Sequence, residues 1–427
     1  MNSNRVAVAR REARLLSSTA PTPDPTPDFD WSRARRIIFI VAFIQFFVAL
    51  EASMLFPLGP ILSTALKFEP RHLGYLNGSF LFAASLSGLA GALCLDRFER
   101  RTALVAMLGA LAICTALAGL AQDLKTLMIC RFVAGLCGGP TMATGLALIA
   151  DNVPVSRRGR AIAFVSAGSA LAIIMGVPIS VQMAEWFGWR ENFFIIGGVG
   201  FALAVAAGVG LPRSIVPPGA ALKPRQIIAE FGEMLRRKST PLALCNGALV
   251  MGTINMMAAN LAPFFVYNLG FDKTHLGYLW MIGGFFGLIG AQSSGFLADR
   301  FGAVRMLWIV SMIGVATYFT MFVLSPPPFP VVVVFSVFMF CANGRIILLN
   351  VINSMVPPPG QRGRFLSLAT AVNQAAAAIV IVGATQILGT APTGELLHIR
   401  AVGVIAIAAA ILSPLFASAL RQRIKPN

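Results

Sequence analysis

His72-Leu73-Gly74-Tyr75-Leu76 returns 203 positions later as His275-Leu276-Gly277-Tyr278-Leu279. At the same offset Asp96-Arg97-Phe98 is repeated as Asp299-Arg300-Phe301, and Arg158-Gly159-Arg160 reappears as Arg362-Gly363-Arg364 at offset 204. A near-constant offset across three separated signatures means two copies of one unit, with one residue inserted before the third signature. Around these signatures the chain is apolar. Runs lie near 37–64, 72–95, 102–121, 125–150, 159–185, 189–212, 241–268, 274–298, 303–325, 328–356, 362–388 and 398–420, six in each copy. Each supplies the roughly 20 residues that a helix needs to cross a bilayer core, and a helix satisfies its own backbone in lipid. The pattern predicts an all-α membrane protein with 12 transmembrane helices in two pseudo-symmetric six-helix bundles.

Composition agrees. Of 427 residues, 57% are hydrophobic and 12% charged, whereas soluble chains carry about 25% charged residues. The segmentation that follows is a polar, disordered cytoplasmic tail over 1–36, a first bundle over 37–212, a cytoplasmic linker over 213–240, a second bundle over 241–420 and a cytoplasmic terminus over 421–427. Within the linker, Gln226 to Lys238 has the character of a surface helix. The tail lacks the short apolar core and cleavage site of a secretory signal, because the first apolar run is long enough to span. Six cysteines, Cys94, Cys114, Cys130, Cys137, Cys245 and Cys341, fall in apolar stretches without metal-knuckle spacing and read as small core residues.

The formal charge of +17 is explained by where the 34 basic residues lie. Alternate loops and the termini hold 26 of them, the opposite loops hold six, and Arg131 and Arg345 sit inside runs. That asymmetry places both termini in the cytoplasm and leaves no role for nucleic acid as a partner.

The six-plus-six layout with an Asp-Arg signature after the second span of each half resembles the major facilitator superfamily. The family motif G-x-L-x-D-R-x-G-R-R is matched at its front by Gly295-Phe296-Leu297-Ala298-Asp299-Arg300-Phe301-Gly302. The first copy keeps Asp96, Arg97, Arg100 and Arg101 but has Ala92, Cys94 and Glu99 at the family's Gly, Leu and Gly. Gly176-Val177-Pro178, Gly188-Trp189-Arg190-Glu191-Asn192-Phe193 and Arg131-Phe132-Val133-Ala134-Gly135 are similar to signatures of the drug:proton antiporter branch, particularly arabinose-efflux-type permeases. The resemblance implies a monomer in the inner membrane that exports a small organic molecule in exchange for protons. It also implies a cytoplasmic gate at Asp96, Arg97, Arg100, Arg101, Asp299 and Arg300.

Glu51 is the one carboxylate near the middle of a run. A charge at a helix centre costs about 2.5–3.5 kcal/mol on insertion scales, so an acid there needs a partner, a water-filled cavity or a proton. Desolvation favours a neutral carboxyl and a nearby cation favours the anion, which lets one group change protonation during a cycle. At about 1.5 Å per residue, Glu51 and Arg131 reach the same depth, so Glu51 is the candidate proton carrier and Arg131 the cation that tunes it; a fixed ion pair is the competing role.

Arg345 has no counterpart in the first half and suggests an anionic substrate group or a carboxylate across the pathway; pairing with carbonyls beside Asn343 and Gly344 is the alternative. Asn246, Thr253 and Asn260 recur every seven residues, as do Asn343 and Asn350, placing each set near one helical face. Spans 1, 4, 7 and 10 line the pathway in the family, so the resemblance implies a substrate pocket of Gln45, Glu51, Asn255, Asn260, Arg345 and Asn350 with aromatic walls from Phe47 and Phe264. Small residues every four positions, Gly168 to Gly176 in the fifth run and Gly283 with Gly287 in the eighth, permit close helix approach. The resemblance pairs the fifth and eighth spans across the halves, which with a bend at Pro178 implies a rocking interface there; static helix packing is the alternative.

Enzymatic readings fail on residue supply. His72, His275 and His398 each sit near a helix end, and no phosphate-binding loop or nucleophile elbow is present. No cofactor is expected, and energy comes from the proton gradient. Export by proton antiport is the favoured reading; a proton symporter or facilitator for metabolite uptake, and a transporter-like sensor or scaffold without flux, are its rivals.

Overall fold

The computed structural model describes residues 30–94, 98–213, 224–324, 327–357 and 361–423. Among the described residues twelve helices are long and apolar enough to cross a membrane: Trp31–Ser53, Pro70–Gly91, Arg100–Ala118, Leu124–Asn152, Arg157–Trp186, Trp189–Gly210, Ser239–Asn268, Lys273–Phe301, Ala303–Val323, Val331–Ser354, Gly363–Ile387 and Ile399–Arg423. They are called spans 1 to 12 in that order.

Span 1 begins six residues before the apolar run, inside the segment read as tail. Asp30 supplies the cause: its carboxylate accepts from the backbone N–H of Ser32 and of Arg33, each at 3.0 Å, satisfying donors that a helix start leaves open. Span 1 stops at Ser53 and resumes as Leu55–Ala65. Pro57 explains the break, because a proline ring clashes with the carbonyl four residues back, here that of Ser53. Span 4 starts on Asp123, whose carboxylate accepts from Thr126 N–H at 2.7 Å. That bond holds the Asp123 carboxyl below its usual range. The linker carries a helix at Pro224–Arg236, two residues upstream of its expected position, and span 12 runs on to Arg423.

Among the described residues a π-helical turn interrupts span 5 at Ala172–Gly176, and two others close spans 7 and 9 at Phe264–Asn268 and Phe319–Val323. The first two adjoin Pro178 and Pro263, which remove a backbone donor. Between spans 11 and 12 a two-residue antiparallel ribbon pairs Gly389 with Leu397 and Thr390 with Leu396, an element that no apolar periodicity announces.

Each half packs around an apolar interior while large side chains such as Phe39, Phe43, Phe285, Phe296 and Ile379 lie on the outside. Such a surface is stable only against lipid. The halves meet along span 2 against span 11, span 5 against span 8, and Leu55–Ala65 against span 7. On the first of these seams Gly74 lies against Thr385 and Gly78 against Val382, and Ser85 Oγ donates to the Ala371 carbonyl at 2.8 Å.

The small-residue stripes do not form the expected interface. Gly168 packs on the Ala42 backbone and Gly176 on the Phe46 ring, both in span 1, while Gly283 packs on Phe335 and Gly287 on Asn343, both in span 10. Spans 5 and 8 instead touch through neighbouring faces, Gly277 against Pro178 and Val181, and Gly284 against Ile173 and Ile174. Both spans carry small residues on two faces, and the stripe of fourfold spacing serves packing inside each bundle. Of the cysteines, Cys137 and Cys341 are buried, Cys114 and Cys130 half-buried, and Cys245 exposed; the side chain of Cys94 lies outside the described residues.

Candidate functional site

The first bundle contains a buried ion pair. Glu51 closes the last full turn of span 1 before the break, and Arg131 reaches it from span 4; both side chains are 1% exposed. Arg131 Nη1 donates to Glu51 Oε1 and also to the Glu51 backbone carbonyl at 3.2 Å. Thr115 Oγ1, from span 3, lies 3.1 Å from the same carboxylate oxygen and 2.9 Å from the Leu111 carbonyl, so its single proton serves one or the other. The Arg131 guanidinium stacks over the Phe80 ring of span 2 at 4.3 Å, a contact that supports a desolvated cation.

Local sequence positions these groups. Gly135, one turn beyond Arg131, leaves no room for a Cβ because the Phe80 backbone carbonyl occupies that space. The Arg-x-x-x-Gly spacing thus lets span 4 press against span 2 and slides Arg131 over Phe80. Satisfaction is incomplete: Glu51 Oε2 and Arg131 Nε and Nη2 are buried without a hydrogen-bond partner. Such half-satisfied polar clusters are costly in a low-dielectric interior.

The second bundle has a cation without the acid. Arg345 is fully buried and donates from Nη1 to Tyr318 OH at 3.4 Å, with Nε and Nη2 unpartnered. Tyr318 stands 203 residues after Thr115, so the repeat sets a tyrosine where the first bundle has its threonine. Among the described residues no carboxylate pairs with Arg345.

The expected aromatic walls turn away from the seam between halves. Phe47 fills the space left by Gly200 in span 6, and Phe264 packs at a tilt against Phe322, ring centroids 5.1 Å apart, and Phe265, 6.1 Å apart; both lie inside their bundles because their helix faces point there. Gln45 is 3% exposed and donates to the Met142 carbonyl at 3.1 Å. Asn255 and Asn260 donate to carbonyls of their own helix, Met251 at 2.9 Å and Met256 at 2.8 Å. Asn350 is exposed. The structure brings together Glu51 and Arg131 but does not gather the other proposed pocket residues into one lining.

Asp96 and Arg97 lie outside the described residues. Arg100 pairs with Asp151 at 2.9 Å, Arg101 donates to the Gly208 carbonyl, and Asp299 and Arg300 are exposed. At this basic end the bonds of Arg100 and Arg101 stay within the first half, and that of Arg364 runs to Glu230 of the linker helix. Gly302 adopts φ of +89° at the turn after span 8, whereas Glu99, its counterpart, sits at φ of −61° and caps span 3. The two copies of the motif therefore turn differently, and only the second needs glycine. Gly188, at φ of +103°, plays the same part before span 6, where Arg190 donates to the Gly119 carbonyl at 3.0 Å.

The opposite end is tied across the halves. Tyr267, seven residues beyond Asn260, donates to the Pro60 carbonyl at 3.3 Å, with Ser63 Oγ at 3.2 Å and Thr64 Oγ1 at 3.3 Å from the same phenol oxygen. Arg71 donates to the Leu388 carbonyl at 3.2 Å, and Gln386 to the Tyr75 hydroxyl. Depth along the sequence does not by itself mark Thr115, Phe80, Tyr267 and Tyr318. Two left a signal: Thr115 is the lone polar side chain between Thr102 and Ala118, and Tyr267 continues the Asn246, Thr253, Asn260 series.

Two related six-helix halves, sealed against each other at one end and holding a buried ion pair within one of them, define a membrane transport protein. Residues 41–381 match the Major Facilitator Superfamily, and the chain belongs to that family: it is a multi-pass membrane transporter and not an enzyme. It is 25% identical over 364 residues to a chloramphenicol resistance protein of Streptomyces lividans, covering 84% of this chain and 90% of that one. It is 26% identical over 326 residues to the multidrug resistance protein MdtG of Rahnella sp. (strain Y9602), covering 73% and 76%. The crystal structure of a D-xylose-proton symporter superposes with a TM-score of 0.70 at 16% identity, covering 90% and 97%.

Proposed function

We propose that this chain is a proton-coupled exporter of small organic molecules, acting as an inner-membrane monomer whose basic end and both termini are cytoplasmic. The observation that carries this reading is Glu51, buried in the first bundle against Arg131 with one carboxylate oxygen unpartnered. Relatives that bear chloramphenicol- and multidrug-resistance names support the outward direction, and the basic asymmetry supports the orientation.

The mechanism follows from where Glu51 sits. Arg131 donates to the Glu51 side chain and to its backbone carbonyl. A proton arriving on Glu51 removes that attraction, and the guanidinium loses its charged partner while keeping Phe80 beneath it. Three residues further on, span 1 breaks and resumes as Leu55–Ala65, the segment that carries Pro60 and Ser63 of the seal. Loss of the pair thus acts on the joint of a helix whose far part holds the halves closed, and the two halves rock about the central seam. One charge crossing 100 mV supplies about 2.3 kcal/mol, or about 1.7 powers of ten in accumulation.

Proteoliposomes with chloramphenicol as the first probe, followed by a panel of small organic molecules, test the reading. Vesicles acidified inside should accumulate the probe as protons leave, and Glu51→Gln should abolish accumulation while the protein still inserts. Accumulation driven only by external acid would make the chain a symporter, and binding without flux would make it a sensor; either result overturns the proposal.

A further inference from the structure

At the basic end, on the lipid-facing side of the first bundle, spans 1 and 5 frame a cleft of about 290 Å³. Its lining includes Trp31, Arg35 and Phe39 from span 1 and Arg157, Arg160 and Phe164 from span 5. On each helix an arginine stands one turn nearer the aqueous end than a phenylalanine: Arg35 before Phe39, and Arg160 before Phe164. One turn is about 5–6 Å of depth. The two phenylalanine rings meet edge to face at 5.2 Å and are about half exposed, forming an apolar floor beneath a basic mouth. The Arg157 guanidinium carbon lies over the Trp31 indole, 4.3 Å from the ring centroid, and a guanidinium held over a ring retains N–H groups for an anion.

The three arginines at this mouth outnumber the one carboxylate, Asp30, at the same end of span 1. Among the described residues Arg35, Arg157 and Arg160 form no ion pair, and the two nearest carboxylates in sequence are hydrogen-bonded or paired to other groups. Asp30 caps span 1, and Asp151 pairs with Arg100 at 2.9 Å. The transport reading uses none of these three arginines, and positive-inside topology asks only for basic residues near the membrane, not for three around one cleft above two lipid-facing aromatic rings.

We propose that this cleft is a binding site for an anionic phospholipid of the adjoining leaflet, its phosphate held by Arg35, Arg157 and Arg160 and an acyl chain lying on Phe39 and Phe164. Basic clefts between transmembrane helices favour such headgroups, and the order of charge over aromatic surface along the membrane normal matches the order of groups in a phospholipid. Span 5 also carries Ile173, Ile174 and Pro178 of the contact with span 8, so a lipid wedged between spans 1 and 5 bears on a helix that joins the halves.

Native mass spectrometry of the detergent-purified full chain, titrated with phosphatidylglycerol, phosphatidylcholine or inorganic phosphate, tests the site. Phosphatidylglycerol should bind tightly and phosphatidylcholine weakly, with free phosphate a poor competitor. The triple variant R35Q/R157Q/R160Q should weaken phosphatidylglycerol binding about a hundredfold, and R160Q alone about fivefold. A charge-matched control, R236Q/R305Q/R421Q, should bind as the parent does. Equal loss in the control means diffuse surface charge and overturns the site, as does unchanged binding in the triple variant. Competition by inorganic phosphate as strong as by lipid would reduce the cleft to a phosphate site and overturn the lipid assignment. Should the triple variant fail to elute as a monodisperse peak, R160Q and F164A decide: both must weaken lipid binding, and phosphatidylcholine adducts must not change with R160Q.

Discussion

Replacing both members of the buried pair should harm the protein less than replacing either one. In Glu51→Leu, Arg131 keeps a full charge at 1% exposure with Phe80 and the residue 51 carbonyl as its remaining neighbours. In Arg131→Met, the Glu51 carboxylate retains only Thr115. Breaking a buried pair by removing one partner costs about 3–5 kcal/mol, whereas replacing the whole pair by apolar groups of similar volume is neutral or stabilising by about 1–4 kcal/mol. The surroundings suit the double replacement, since the site is closed to solvent and three polar atoms of the pair already lack partners. The assay is thermal unfolding of the four proteins in one detergent, followed by tryptophan fluorescence at a fixed scan rate because membrane proteins rarely refold reversibly. The expected order places the double variant near the parent and both single variants well below it. A double variant that loses the sum of the two single losses would show that the side chains act independently and would refute the pair as an energetic unit.

Tyr267→Phe removes the phenol oxygen that joins Pro60, Ser63 and Thr64; at about 0.5–1.5 kcal/mol for a neutral hydrogen bond, the sealed state should lose about two- to tenfold in population, read as a longer distance between spin labels at Ala65 and Thr274. Gly135→Val should push span 4 from Phe80 and lower both thermal stability and transport, whereas Gly159→Ala, which meets open space, should leave both unchanged. Asp123→Ala should lower the melting temperature at pH 7. Because the folded-state carboxyl is depressed by Thr126, its stabilising share is present above the ordinary carboxylate range and disappears as pH falls through the folded value, so the parent and variant should converge in acid.

The topology was legible because each step needs only composition. Apolar runs of spanning length, the 203-residue offset and the placement of basic residues state twelve helices in two halves without any knowledge of packing. Boundaries were less legible, since span 1 begins on the Asp30 cap and breaks at Ser53 because of a proline four residues later, both effects of single side chains. Depth arithmetic was enough to suggest Glu51 and Arg131 for one site. It is silent on azimuth, and for that reason depth alone does not show that the helix faces of Phe47 and Phe264 turn into their own bundles. The glycine stripes were ambiguous for the same reason: a stripe says that something approaches closely but not what, and at Gly168 and Gly287 the approaching helix is a neighbour in the same half, as static packing requires.

Loading of a proton on Glu51 as ligand leaves or arrives is most directly tested by ligand binding in weakly buffered detergent solution with a pH indicator. The parent protein should release protons when a transported molecule binds, and Glu51→Gln should bind that molecule with no proton release. Equal release from the parent and the variant would contradict the assignment of the buried acid as the coupling group.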